Sequence, residues 1–411
     1  MIPTSSIALS SFSKANKRSP SSSTARRTGR RCCCCRLSLC LVITTLLTVA
    51  FFIWGLLYFS PATLPEPTVP DKSTDTNARF LTLNIFMRPP GVKNNKSDYK
   101  EQRLDYIIKH ILPHYDVITV QEAFAFANRR VDRLAVAARE MGFNYQVASP
   151  RHYPWQLAAD GGLLLLSRFP IAKSDVIEFP RGLHSDWLSY KGALHALVEL
   201  NPRRSVHVYT THTQASYDSQ GQLNDDDTNM RLSQFAYVHK FISETARDDG
   251  SPVLIMGDLN VDASKHDQEK VAHAVHSSDA YIKMVSILNG TGLPNGDYED
   301  SWHIDTMKDA VYEQFGYHPV TFGNVIADKD GGSDIKPAET VLTHWDQVTT
   351  VQSLDRIFWA DRFSDTLALN NITIEKFLVA DNKDLAEEEK KDIEFTQISD
   401  HYGLSCLIEL I

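Results

Sequence analysis

The sequence predicts a layered α/β or α+β domain over residues 78–411, preceded by a single membrane-spanning helix. Three observations carry that expectation. Short apolar runs recur through residues 78–411 and are separated by stretches of helical periodicity. No internal repeat and no Gly/Ser-rich linker divides that region. Leu37–Phe59 is an uncharged apolar run, long enough at about 1.5 Å per residue to cross a hydrocarbon core of about 30 Å.

Taken in chain order, residues 1–36 are rich in Ser, Lys and Arg, the composition of a disordered segment. Up to Ser60 the chain holds eight basic residues and no acidic one, so its formal charge of −9 leaves about −17 for the remainder. That anionic bulk repels polyanions and argues against nucleic acid as a partner. The basic cluster directly precedes the run 37–59, and Trp54 and Tyr58 sit near its far end, where amphipathic aromatics prefer the interface. Positive-inside bias places residues 1–36 in the cytoplasm and everything after about Ser60 in a lumen or outside, a type II signal-anchor arrangement. A cleaved signal peptide is the rival reading, with "SPA" at 60–62 as a loose cleavage site, and would give a secreted form.

Five of the six cysteines fall within Cys32–Cys40 and only Cys406 lies beyond, so no disulfide can form within the domain. Cys32, Cys33, Cys34 and Cys35 lack zinc spacing and sit on the reducing face. Beside arginines at the head of an apolar run they fit S-palmitoylation, with the basic residues drawn to anionic lipid. Residues 60–77 read as a stiff Pro-rich linker. Strands are predicted over Phe80–Phe86, Asp116–Val120, Gly162–Leu166, Val206–Thr211, Val253–Met256, Leu354–Trp359 and Gly403–Leu410. A helix is predicted between Tyr99 and Leu112, where Leu104, Ile107, Ile108, Ile111 and Leu112 repeat, and a second over residues 228–248.

Polar residues stand at the ends of these strands, where sheet scaffolds present functional side chains. They are Asn84, Glu122, His212, Asp258 and Asn260 of "GDLN", Asp355, and Asp400–His401 of "SDHY". Singly each has a structural explanation as a turn, a helix cap or a hydrogen-bonded core residue. In this order, however, the set resembles the endonuclease/exonuclease/phosphatase superfamily from about Phe80 to Ile411. Within it "QEAF" (121–124), "DGGLLLLSRFPI" (160–171), "DWLSYKG" (186–192) and "THTQA" (211–215) resemble the neutral sphingomyelinase branch.

The resemblance implies a four-layer sandwich of two mixed β-sheets flanked by helices. It implies a phosphodiesterase, anchored to the membrane by the run 37–59, that splits sphingomyelin, a membrane sphingolipid, into ceramide and phosphocholine with Mg2+ at one site and Mn2+ as a substitute ion. Glu122, Asn84 and Asp400 would hold the cation, hard oxygen donors for a hard ion. His401 oriented by Asp355 is the expected base, His212 stabilises phosphoryl oxygens, and Asp258 and Asn260 hold water and phosphate; whether Asp258 or His401 takes the proton stays open. Asp186 and Lys191 match a pair that forms a switch in the family, with a solvated ion pair as the alternative. A second cation is doubtful, because Phe126 and "AAD" replace its ligands and only Asp160 remains. Bacterial relatives insert an apolar hairpin before the final Asp-His, whereas residues 379–401 here are densely charged.

Asn95, Asn289 and Asn371 begin N-x-S/T sequons, candidate glycosylation sites if the domain faces a secretory lumen. The acidic run 224–228 reads as a solvated loop, and His184, His195, His207, His303, His318 and His344 as structural, since none has metal spacing. Oligomeric state is left open. The competing functions are a related phosphodiesterase or phosphatase acting on lysophospholipids, inositol phosphates or nucleic acid, and an inactive lipid-binding module.

Overall fold

A computed structural model describes residues 33–411 except 94, 96, 218–222, 224, 267–271, 294–301, 328–334, 344–349 and 363–365. Helix α1 (Cys33–Phe59) begins earlier than the predicted Leu37, and its Ser38–Phe59 part is long and apolar enough to cross a membrane by length and composition. The chain divides into two units, Met1–Ile53 and Trp54–Ile411. Cys32, Asn224 and His344 lie outside the described residues, as do residues 1–32 of the segment 1–36 expected to be disordered; its residues 33–36 are instead helical, in α1.

Two six-stranded sheets build the second unit. The first runs β15 (Leu367–Glu375), β16 (Gly403–Leu410), β1 (Asn77–Met87), β2 (Val117–Ala123), β4 (Leu164–Ser167), β3 (Tyr145–Ala148). The second runs β10 (Lys308–Asp309), β14 (Asp355–Ala360), β8 (Val253–Asp258), β7 (Arg204–His212), β6 (Gly192–Asn201), β5 (Ile171–Glu178). Two short ribbons pair β9 (His273–Ala274) with β11 (His318–Pro319) and β12 (Val325–Ala327) with β13 (Ile335–Pro337). All seven predicted strands are present.

Burial separates three apolar layers. Phe80, Val117, Leu165, Val208, Leu254 and Ile357 meet between the sheets. On the outer face of the first sheet, Leu83, Ile118 and Leu166 pack on α2 (Lys100–His110) and α3 (Arg130–Glu140). On the outer face of the second, Tyr209 and Ile255 pack on α4 (Asp226–Ala246) and α5 (Asp279–Leu288). The result is helix, sheet, sheet, helix, because each sheet has two apolar faces to cover. The short helices α6 (Ala310–Phe315) and α7 (Glu387–Lys391) lie in the connections after β10 and β15.

Sequence patterning missed five strands of the two sheets, β3, β5, β6, β10 and β15. β5 and β15 are edge strands rich in polar residues, β5 largely exposed and β15 mostly part-buried, as unpaired edges commonly are. β6 is buried on both faces and therefore does not alternate. Residues 60–77 contain no regular element up to the start of β1, yet they are tied to the domain rather than free. Lys72 pairs with Asp116 at 2.6 Å, Thr74 N–H donates to Leu200 O at 2.9 Å, and Asn144 Nδ2 donates to Val69 O at 2.8 Å.

Two strand pairs are parallel, β1 with β2 and β7 with β8. Their crossovers contain α2 and α4, so all four strands end at the same edge of the sandwich. β14 and β16 run antiparallel to their neighbours and therefore begin at that edge. This places the strand-end polar residues together.

Candidate active site

Alternation decides which residues can face each other. On β7, Val206 and Val208 belong to the layer between the sheets, so His212 at the strand's end faces inward, whereas His207 and Tyr209 face the helices. Asp258 shares parity with Leu254 and Met256, Asp355 with Ile357, and Asn84 with Phe80. His212, Asp258 and Asp355 are consecutive partners in one row across three strands.

Glu122 has the wrong parity, matching Ile118 and Val120 on the outer face. Its φ of 53° places it in the left-handed region and re-aims the strand end. Phe86 (φ 51°) and Asn260 (φ 50°) do the same, and the β1–β2 register shifts between Asn84 and Met87. Three non-glycine residues in a costly conformation around one cleft are the kind of stored strain found at functional sites.

The polar floor is tightly connected. Asn84 Nδ2 donates to Glu122 Oε1 at 3.2 Å and to Asp258 Oδ2 at 3.0 Å. Asp258 Oδ2 lies 3.5 Å from His212 Nε2 and 3.7 Å from His401 Nε2. His401 Nδ1 is 2.9 Å from Asp355 Oδ2, which fixes the ring's orientation. Asn260 Nδ2 donates to Thr213 O at 3.1 Å, and its N–H donates to Asp258 Oδ1 at 3.0 Å.

Charge follows this geometry. Burial would lower the His401 imidazole, but Asp355 and Asp258 hold it well above its ordinary range. Burial pushes Asp258 up, yet His401 and His212 outweigh it and hold the carboxyl low. Burial and Lys191 lower His212. Asp400 is pushed up to about 7 by burial, with His401 opposing and the charge of Glu122 adding to the rise.

Two donor sets could take a cation. Among the described residues, Asp258, Asp355 and His401 offer ligand atoms within 4.8 Å of one another. Asp355 and His401 are already engaged with each other, however. Asn84, Glu122 and Asp400 offer hard oxygens, and Glu122 Oε2 is buried with no hydrogen-bond partner, so this set fits a hard divalent ion better.

The expected Asp186–Lys191 pair is formed, at 2.8 Å. Lys191 Nζ also donates to Thr213 O at 2.6 Å and lies 3.3 Å from His212 Nε2. Asp186 Oδ2 accepts from Ala215 N at 2.7 Å. Asp160 is turned to backbone, accepting from Ala125 N at 2.9 Å and Gly162 N at 3.0 Å. The glycines of "DGG" are needed there: a Cβ on Gly161 would meet Tyr190 O at 2.4 Å, and Gly162 has φ +68° under the Phe124 ring.

Asn95 Nδ2, which would carry a glycan, donates to Val341 O at 2.7 Å and Thr343 O at 2.8 Å. Asn289 accepts from Thr291 within its own turn, and Asn371 is exposed on β15.

Sequence reading missed Arg103. It is fully buried and donates to Ile85 O and Ile398 O, both at 2.7 Å, and to Phe86 O at 2.8 Å. It therefore ties the end of β1 to the segment leading into Asp400–His401, a positioning residue. Its only signal was an arginine in an otherwise apolar helical register. The walls were also missed. The floor lies in a cleft of about 900 Å3, with Phe86, Phe124, Phe126, Leu157, Leu188 and Phe322 around it.

Residues 81–401 match the model of the Endonuclease/Exonuclease/phosphatase family. The chain is 29% identical over 402 residues to a sphingomyelinase of Dictyostelium discoideum, covering 86% of this chain and 84% of that one. It is 26% identical over 311 residues to a sphingomyelinase C of Bacillus cereus, covering 72% and 89%. Among solved structures, sphingomyelinase C from Streptomyces griseocarneus shares the fold with a TM-score of 0.50 at 21% identity, covering 80% of this chain and 98% of that one. The sequence likeness, the two-sheet sandwich and the strand-end constellation agree: the chain belongs to the endonuclease/exonuclease/phosphatase family.

Proposed function

We propose that this chain is a membrane-anchored, Mg2+-dependent sphingomyelin phosphodiesterase that releases ceramide and phosphocholine. Likeness to sphingomyelinases and to a phospholipase C of Staphylococcus aureus supports a phosphoric diester hydrolase. The observation that carries the lipid reading is the cleft itself, a charged floor of Glu122, Asp258, Asp400 and His401 under walls of Phe86, Phe124, Phe126 and Leu188. A phosphodiester headgroup fits the floor and an apolar tail fits the walls.

Mg2+ bound by Glu122, Asn84 and Asp400 would draw charge from a non-bridging phosphoryl oxygen. Asn260 and Asp258, two residues apart on one turn, hold the attacking water. Its oxygen forms the new bond to phosphorus as the bond to the ceramide oxygen breaks. The water's proton goes to the Asp258–His401 pair, which is close enough to titrate as a unit, and a proton returns to the leaving alkoxide. Asp355 holds the His401 ring, and Lys191 keeps positive charge beside His212. Asp186 is the candidate switch on Lys191, and Asp160 positions the loop of Phe124 and Ala125.

The deciding experiment incubates the full chain with vesicles of sphingomyelin, phosphatidylcholine or lysolipid, with inositol phosphates, and with DNA, each with and without EDTA. Phosphocholine release from sphingomyelin that EDTA abolishes is the expected result. DNA cleavage without that release would sink the reading. Type II topology predicts that deglycosylation shifts the mobility of the cellular protein; an unglycosylated chain with a cytosolic C-terminus would reverse it.

A further inference from the structure

Residues 379–401 form no apolar hairpin here; α7 carries Glu387, Glu388, Glu389, Lys390 and Lys391. A different surface is apolar. Two loops beside the cleft expose large apolar side chains: Trp155 at 40% and Leu157 at 70% on one, Trp187 at 49% and Leu188 at 56% on the other. Arg181 braces the two, donating to Trp187 O at 2.8 Å and to Gln156 O at 3.2 Å. Its guanidinium also lies 3.9 Å from the centre of the Tyr190 ring.

The first loop rests on the last turn of α1. A Cβ on Gly55 would lie 2.9 Å from the Trp155 ring, so glycine is what lets that ring against the helix. Ser60 Oγ lies 3.3 Å from Tyr153 Oη, and Phe59 packs on Phe126 at 5.1 Å. Arg129 donates to Leu57 O at 3.3 Å and Ser60 O at 2.8 Å, capping the helix end. Gly55 precedes Phe59 by one turn, about 6 Å along the axis. A side chain packed on Gly55 therefore lies at the depth of the aromatic interfacial belt whenever α1 spans the bilayer.

We infer that Trp155, Leu157, Trp187 and Leu188 form a bilayer-docking surface that holds the cleft mouth against the lipid interface. The inference rests on the reading of α1 as a spanning helix. It assigns to two braced loops the contact that a hairpin cannot make in this chain. The occupant is the boundary of headgroups and acyl chains, because the surface packs on Gly55 at the end of a helix of spanning length and presents tryptophans, the residues that favour that boundary.

The test reconstitutes the full chain in phosphatidylcholine vesicles whose acyl chains are brominated near the headgroup, and measures tryptophan quenching. Trp54→Phe, Trp155→Phe and Trp187→Phe should each lower the quenched fraction, and Trp302→Phe should not. Quenching that depends on Trp54 but not on Trp155 or Trp187 overturns the docking surface and leaves the anchor standing. No contribution from Trp54 overturns the anchor and the docking surface together. In the Trp155→Glu, Trp187→Glu double variant, hydrolysis of vesicle sphingomyelin should fall about tenfold or more, with a water-soluble short-chain substrate cleaved as before. Equal rates on both substrates overturn the inference, as does a dimer that shields these tryptophans from the brominated lipid.

Discussion

Two histidine–aspartate constellations have buried imidazoles, one on the second sheet beside α4 and one where the ends of both sheets meet. Beside α4, His195 Nε2 bonds His207 Nδ1 at 2.8 Å, His207 Nε2 bonds Asp249 at 3.0 Å, and His195 Nδ1 bonds Asp175 at 3.3 Å. Every ring nitrogen there has a partner. At the strand ends, His401 Nε2 stands 3.7 Å from Asp258, while His212 Nδ1 and Glu122 Oε2 have no hydrogen-bond partner and belong to residues that line the cleft; Asp355 Oδ1, behind His401, has none either. The imidazoles are buried in both, whereas Asp175 and Asp249 are 53% and 36% exposed and Asp258 and Asp355 only 1%. What separates a structural cluster from a reactive one is unspent hydrogen-bonding capacity facing a cavity.

The comparison breaks most directly at its two centres. Asp258→Asn or His401→Asn should cut kcat by about 10²–10⁴-fold with the fold intact, whereas His207→Asn should lower stability and leave kcat per folded molecule within about twofold. Phosphocholine release and denaturant midpoints, measured on the same preparations, distinguish the two. A His207 variant that loses activity while fully folded would dissolve the distinction.

The next effect is on stability against pH. Burial, joined by repulsion from His207, lowers His195 to about 4, and burial lowers His207, with Asp175 and Asp249 opposing. The unfolded chain therefore binds protons first, and stability falls as pH drops from about 6.5 towards about 4, by roughly 3 kcal/mol for His195 alone. Denaturation midpoints across that window should flatten in His195→Gln; an unchanged slope would refute the assignment.

Glu122→Gln removes one charge from the cation-binding set and should weaken metal-supported activity about 10–100-fold, with a matching rise in the Mg2+ concentration needed. Loss of rate that added Mg2+ does not rescue would place Glu122 outside that set. The smallest effect concerns the buried Asp186–Lys191 pair. Replacing both partners, as Asp186→Asn with Lys191→Met, should change stability by less than about 1 kcal/mol, whereas Lys191→Ala alone should cost about 3 kcal/mol. Equal costs would mean that the pair is solvated.

Much of the site was readable because it lies at the ends of strongly patterned strands. Asn84, His212, Asp258 and Asp355 stand at the ends of apolar strands, and the parity they share with residues packed between the sheets points them inward. Glu122 was found only through its motif, since its strand parity points the other way and a left-handed backbone corrects it. Arg103 carried almost no signal, because what it holds are backbone oxygens from two segments far apart in the chain. The edge strands β5 and β15 escaped for the opposite reason: exposure removes the apolar pattern that reveals a strand.

By itself, then, the sequence determined the spanning-length helix, seven strands of the two sheets, the two crossover helices and the identity of the strand-end polar residues. Those properties are local, set by periodicity, length and residue chemistry. The tertiary structure alone decided which constellation keeps open valences, how Glu122 and Phe86 turn into the cleft, and that the loop of Trp155 packs on Gly55 near the end of α1. Those depend on sheet register and on hydrogen bonds between residues far apart in the chain, which no local pattern encodes.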